Sequence, residues 1–174
     1  RAKGFEEISP QRKYHGISTQ IIAQIKNVRV PFNVDIGVGD IIVPRAEERT
    51  INTQLPDFEA PVIKTYSLES TIAEKFDAIL QRFELTGRMK DFYDIYYLSR
   101  TFNFDGERLQ SAIFNTLQRR GPPYDRDSFK RVVSLADDED MQKRWKYFLK
   151  TIKDDTLEFS FVITEIKTFL EPVF

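Results

Sequence analysis

The segment covering residues 66–100, YSLESTIAEKFDAILQRFELTGRMKDFYDIYYLSR, constrains this chain more than any other. Ile72, Phe76, Ile79 and Phe83 recur at helical spacing and form one apolar stripe. A short Leu85-Thr86-Gly87 break follows, and a second helical pattern begins beyond it. Ser67 is placed to cap the first helix. Ser70 stands where a capping box would carry Glu or Gln, so the start signal is partial.

In the second helix, Phe92, Tyr93, Ile95, Tyr96, Tyr97 and Leu98 leave little of the circumference polar, which is the composition of a buried helix. Asp91 and Asp94 are three apart and share a face. Carboxylates on such a helix need partners, because an unpaired buried charge is costly. Lys75, Arg82, Arg88 and Lys90 are the nearest candidates. Lys75 and Arg82 lie two turns apart and are expected to project side by side from one border of the first stripe. Two readings of these charges stay open. One is a structural ion-pair network between packed helices. The other is a site where the cations bind phosphate and the carboxylates orient them.

A length of 174 residues suits one domain or two small lobes. With 15 Phe and 7 Tyr the chain has rings enough for a core. A net charge of −1 offers no overall basic field, so any contact with nucleic acid must use local patches. The absence of Cys excludes disulfides, thiol catalysis and Cys-ligated zinc, and it fits a reducing compartment. One His, His15, cannot supply a His-based metal cluster, and beside Gly16 it reads as a turn residue. There is no signal peptide and no apolar run long enough to span a bilayer, so no membrane partner and a cytoplasmic location are expected.

Residues 1–15 read as polar and irregular. Two alternating segments follow. Ile17, Thr19, Ile21, Ala23 and Ile25 form one apolar row, and Val28, Val30, Phe32, Val34 and Ile36 form another. Period two predicts strands, and the short Lys26-Asn27 connection predicts an antiparallel hairpin. Pro31 lacks an N–H and requires an edge or a bond-free position. Asn33 and Asp35 fall on the face opposite the apolar row, ahead of Gly37-Val38-Gly39-Asp40. Asp35 is thus a carboxylate on a rigid strand beside a permissive loop, open to reading as a metal ligand, a general base or an exposed strand-end residue. Asp40 reads as a turn residue. Residues 41–44 read as a short strand, 45–60 as a surface loop, and 61–66 as a strand leading into the helix pair.

Beyond Arg100 the signals are helical. A helix is expected from Asp105-Gly106 to about Gln118, with Leu109, Ile113 and Leu117 inward and Gly121-Pro122-Pro123 as its stop. A second is expected from Asp127 or Ser128 through Leu135. A third, capped by Asp137, buries Trp145, Phe148, Leu149 and Ile152, and a last one covers residues 159–169. Basic residues cluster at Arg119, Arg120, Arg126, Lys130 and Arg131, and at Lys143, Arg144, Lys146 and Lys150. They read as solvated faces, with contact to an RNA backbone as the second reading.

The elements VDIGVGD, YSLESTIAEKFDAILQR and RMKDFYDIYYL, in this order and spacing, resemble the nucleotidyltransferase toxins of the AbiEii/AbiGii type, which are bacterial abortive-infection and toxin–antitoxin proteins. Tyr14-His15-Gly16-Ile17 fits the stretch before the family's hairpin, and the likeness covers roughly residues 10–120. The resemblance implies an α+β chain. The part of a nucleotidyltransferase sheet lobe would occupy residues 1–66, with its antiparallel hairpin packed against helices, and a helical C-terminal lobe would occupy 67–174. It implies transfer of a nucleotide from an NTP to an acceptor such as tRNA, with Mg²⁺ as cofactor and a cognate antitoxin as partner. Asp35 matches the third core carboxylate and would bind Mg²⁺ or help deprotonate the acceptor hydroxyl. Lys75 matches the lysine expected to touch the phosphates. Asp91 and Asp94 match the acidic helix motif and are counted with Asp35 and Lys75 as catalytic. Arg82, Arg88 and Lys90 join Lys75 as nucleotide-binding residues.

The family pattern opens with a Gly-Ser or Gly-Gly element and an Asp-x-Asp pair, and neither occurs in residues 1–30. One strand carboxylate cannot clamp two metal ions. The chain, which begins without Met, is therefore expected to be a fragment or a degenerate member, inactive alone. The alternative function is a non-catalytic module that binds an antitoxin or RNA.

Overall fold

The computed structural model describes residues 2–8, 16–37, 39, 41–120 and 124–174. His15, Asp40 and the Gly121-Pro122-Pro123 stop lie outside them. The chain divides into two compact units, Arg1–Asp40 and Ile41–Phe174. Relative to the boundary expected at residue 66, this division groups residues 41–66 with the helices.

In the first unit β1 (Ala2–Ile8), β2 (Gly16–Ile25) and β3 (Val28–Gly37) form an antiparallel sheet in that order. The alternation predicted β2 and β3, and the hairpin turns at Lys26-Asn27 with Lys26 at φ 52°. Ile21 faces Phe32, Ala23 faces Val30 and Ile25 faces Val28, so the two apolar rows share one side of the sheet. Among the described residues β3 has a neighbour on one side only, which suits Pro31.

Strand β1 corrects the expectation of an irregular start. Its sequence, AKGFEEI, has no period-two pattern. What makes it a strand is pairing with β2, from Phe5 opposite Thr19 to Ile8 opposite Gly16. The register shifts between Ala2 and Phe5, where Gly4 takes φ 133° and its carbonyl accepts from Thr19 Oγ1 at 2.8 Å.

In the second unit β4 (Glu47–Thr50) pairs antiparallel with β5 (Val62–Thr65). Strand β5 was expected, whereas β4 falls in the stretch read as loop. Its EERT sequence carries no apolar rhythm, and its partner strand alone organises it. Residues 41–44 do not form the expected strand. The Val43 amide donates to Ser70 Oγ at 2.8 Å, and its carbonyl accepts from Ser67 Oγ, so the backbone groups a ladder would need are taken.

Six helices follow among the described residues: α1 (Leu68–Leu80), α2 (Met89–Thr101), α3 (Gly106–Arg120), α4 (Arg126–Ser134), α5 (Glu139–Ile152) and α6 (Phe159–Leu170). A 3-10 turn, Phe83–Leu85, separates α1 from α2. Ser67 caps α1 as expected, accepting from the Ser70 amide at 3.1 Å. Asp125, rather than Asp127 or Ser128, caps α4 in a reciprocal box with Ser128, and Asp138, one residue past the expected Asp137, caps α5. Both shifts put the carboxylate three residues before the amide it must reach.

The core of this unit is ring-rich. Ile72, Phe76, Ile79, Phe92 and Ile95 are completely buried between α1 and α2 and their neighbours. Phe92 meets Phe159 edge-on at 5.3 Å, and Trp145 donates its indole N–H to the Leu157 carbonyl at 2.7 Å. Helix α2 is not buried all round, however. Tyr93 and Tyr96 are half-buried and Tyr97 is exposed, so the tyrosines line the rim of the core. Ile152 is exposed as well, because Lys153 turns left-handed and ends α5 there. The α+β class stands. No helix among the described residues is long and apolar enough to cross a membrane.

Candidate functional site

The charged residues of α1 and α2 meet along the seam between the two helices. Lys75, in the middle of α1, donates to Asp91 Oδ1 at 3.2 Å and to Asp94 Oδ2 at 2.5 Å. The three-residue spacing puts both carboxylates on the α2 face that looks at α1. Lys90, one turn before Asp94, reaches the same Oδ2 at 2.6 Å. Arg88 precedes α2 and brings Nε to 2.6 Å from Asp91 Oδ2. This last contact is an ion pair by distance, but its N–H is poorly aligned for a hydrogen bond.

Burial differs across the cluster. The Asp91 side chain is only 4% exposed, those of Lys75 and Asp94 about a fifth, and those of Arg88 and Lys90 more than half. Asp91 thus lies at the bottom, Lys75 and Asp94 at mid-depth, and Arg88 and Lys90 at the rim. Three cations against two carboxylates leave one net positive charge. Burial alone would raise the Asp94 pKa. The hydrogen bonds from Lys75 and Lys90, with their charges, outweigh it and hold the carboxyl below its ordinary value.

An ammonium has three N–H groups. Lys75 directs two at fixed carboxylates, which leaves one N–H on a pinned, partly exposed cation. Such a group can meet an anionic oxygen without searching for its conformation. The tie to Asp91 and Asp94 also takes part of its charge, so the exposed Arg88 and Lys90 must supply the rest of any pull on a polyphosphate.

Arg82 does not share this arrangement. Helix α1 ends at Leu80 with Gln81 as its cap, and Arg82 has left helical geometry at φ −122°. The two-turn spacing that would set it beside Lys75 therefore stops short of it. Its side chain is exposed and is not part of the ion-pair cluster.

Asp35 belongs to the other compact unit. It lies on β3 opposite Ser18, is exposed, and accepts from Ser18 Oγ at 2.6 Å. Mg²⁺ takes near-octahedral oxygen ligands, often one or two carboxylates completed by water and substrate phosphates. Asp35 offers one. Among the described residues no group of three or more His, Cys, Asp or Glu side chains could hold a metal ion. By themselves these residues do not make a Mg²⁺ site.

Two residues read as solvated charge have structural attachments instead. Arg144 of α5 donates to the Thr86 carbonyl at 2.9 Å, and Arg131 of α4 lies 4.2 Å above the Phe83 ring. Both grip the connection between α1 and α2. Nothing in their local sequence distinguishes them from Lys130 and Lys143, which make exposed pairs with Asp127 and Asp140. A separate groove of about 890 Å³ lies between α3 and the last residues, lined among others by Glu107, Ile113, Phe114, Tyr124 and Phe174. It holds none of the predicted site residues.

No curated protein and no solved structure gives a significant match to this chain. A protein-family model does. The one described as nucleotidyl transferase AbiEii toxin, Type IV TA system, matches residues 2–171, a span that takes in Asp35, the Lys75–Asp91–Asp94 cluster and all six helices. The chain therefore belongs to the AbiEii family of toxin–antitoxin nucleotidyltransferases.

Proposed function

We propose that this protein transfers a nucleotide from an NTP to an RNA acceptor such as tRNA, under the control of a cognate antitoxin. In this reading the free N–H of Lys75 meets a phosphate oxygen of the NTP. Asp91 and Asp94 hold that ammonium in place, and Arg88 and Lys90 draw the polyphosphate in from the rim. Asp35, in the other compact unit, offers one exposed carboxylate, and a Mg²⁺ ion held there would need further oxygen ligands to complete its shell. The observation that supports the reading is the Lys75 ammonium tied to two carboxylates at 3.2 and 2.5 Å while still reaching solvent.

The test is incubation of the full-length protein with each labelled NTP, Mg²⁺ and total RNA. Label is expected in RNA with wild type. With Lys75→Ala it should fall by about a hundredfold or more, the scale of losing one electrostatic contact at a reacting centre. Circular dichroism of the variant should keep its helical signal. Failure of every NTP to label RNA, or equal labelling by the variant, sinks the proposal. Asp35→Asn is checked separately, by weaker binding of Mn²⁺ to the nucleotide-loaded protein.

A further inference from the structure

The connection between α1 and α2 is held from outside. Phe83 has φ 43°, in the left-handed region that a bulky side chain rarely adopts. Such a conformation persists only where its surroundings over-determine it. The surroundings here come from α4 and α5, through Arg131 over the Phe83 ring and Arg144 on the Thr86 carbonyl.

Thr86 is completely buried, and its Oγ1 accepts from the Arg88 amide at 3.1 Å. Gly87, between them, is exposed and has open space where a side chain would be. It contributes no side-chain packing, so on the side away from α2 Arg88 is held through Thr86, while its carbonyl accepts from the Asp91 amide at 2.9 Å. Arg88 Nε then lies 2.6 Å from Asp91 Oδ2, and Asp91 Oδ1 accepts from Lys75 at 3.2 Å. Contacts run without a gap from α5 to the Lys75 ammonium.

We infer that Arg144 is a positioning residue for the Lys75–Asp91 pair. By fixing the Thr86 carbonyl it sets where the chain enters α2. Through Thr86 and Arg88 it sets the tilt of the Asp91 carboxylate, and so the direction of the remaining Lys75 N–H. Its effect on nucleotide transfer rests on the function proposed above, whereas the positioning itself is measurable without transfer.

The direct readout is the Nε–H signal of Arg88 in ¹⁵N-resolved NMR of the full chain, assigned by its loss in Arg88→Lys. In Arg144→Ala this signal should shift or broaden. Transfer should fall by about tenfold to a hundredfold, the scale of a small misplacement of a reacting group. On an Arg88→Ala background, Arg144→Ala should add almost nothing. Arg144→Lys keeps a donor and should recover part of the loss. Arg100→Ala, which removes the 2.8 Å pair with Glu165, is the control and should leave the Arg88 signal in place. If Arg144→Ala does not fold, Arg144→Gln takes its place under the same criteria. An unmoved Arg88 signal, or a loss that persists in full on the Arg88→Ala background, overturns the inference. Should wild type transfer no nucleotide, the proposed function fails, and the NMR result alone decides the positioning.

Discussion

The β2–β3 hairpin and the α1–α2 pair are equally regular in sequence, yet they use their apolar residues in opposite ways. In the hairpin, Val28, Val30, Phe32 and Ile36 line up on one side of the sheet and stay exposed. In the helix pair, Ile72, Phe76, Ile79, Phe92 and Ile95 vanish from the surface. Their carboxylates follow suit. Asp35 meets a neutral hydroxyl in the open, whereas Asp91 is buried between two cations. A periodic pattern decides that an element forms. How far its carboxylates are removed from water depends on what packs over it, and only removal from water makes their charges interact strongly.

The same substitution made in both regions gives the widest separation. Asp91→Asn removes the buried charge that Lys75 and Arg88 share and should cost about 2 kcal/mol of stability, the scale of a hydrogen bond to a charged group. Asp35→Asn should stay within about 0.5 kcal/mol, as exposed substitutions do. Urea unfolding of both variants measures the difference, and equal costs would break the comparison.

Acid sharpens it next. The folded-state pKa of Asp94 is depressed, so its contribution to stability is complete above the ordinary carboxylate value. That contribution is lost as pH falls through the depressed value. Urea midpoints taken from about pH 5 down to about pH 2 should show an acid-induced decline that is shallower in Asp94→Asn than in wild type. An unchanged slope would mean that the Lys75 and Lys90 contacts do not hold the carboxyl in its charged form.

The smallest effect is expected at the rim. Lys90 pairs with Asp94 across one helical turn but is well exposed. Lys90→Ala should cost no more than about 0.5 kcal/mol of stability. A labelled NTP should nonetheless bind the variant more weakly, and the gap should narrow as salt rises. A large stability loss would instead place Lys90 among the structural residues.

Much of this arrangement could be read in advance. The spacing of Asp91 and Asp94 puts two carboxylates on one face in need of partners, and three of the four candidate cations, Lys75, Arg88 and Lys90, do meet them. Arg82 was out of reach because the helix ends before it, and nothing in Leu80-Gln81-Arg82 announces that end. Strands β1 and β4 were missed because neither carries an alternating pattern, and each exists through hydrogen bonds to a partner distant in sequence. Arg131 and Arg144 look like solvated charge, since the groups they grip lie 48 and 58 residues away by number, at Phe83 and Thr86.

What the sequence by itself determined is local: the hairpin, the six helices within a few residues, and the shared face of Asp91 and Asp94 on α2. These follow from periodicity and from spacing on one helix face, which act over a few residues at a time. Tertiary structure alone decided that Asp91 is buried and Asp35 exposed, and that α4 and α5 hold the turn on which Arg88 depends. Burial and long-range contact are properties of neighbours brought together by folding, and no stretch of chain carries them within itself.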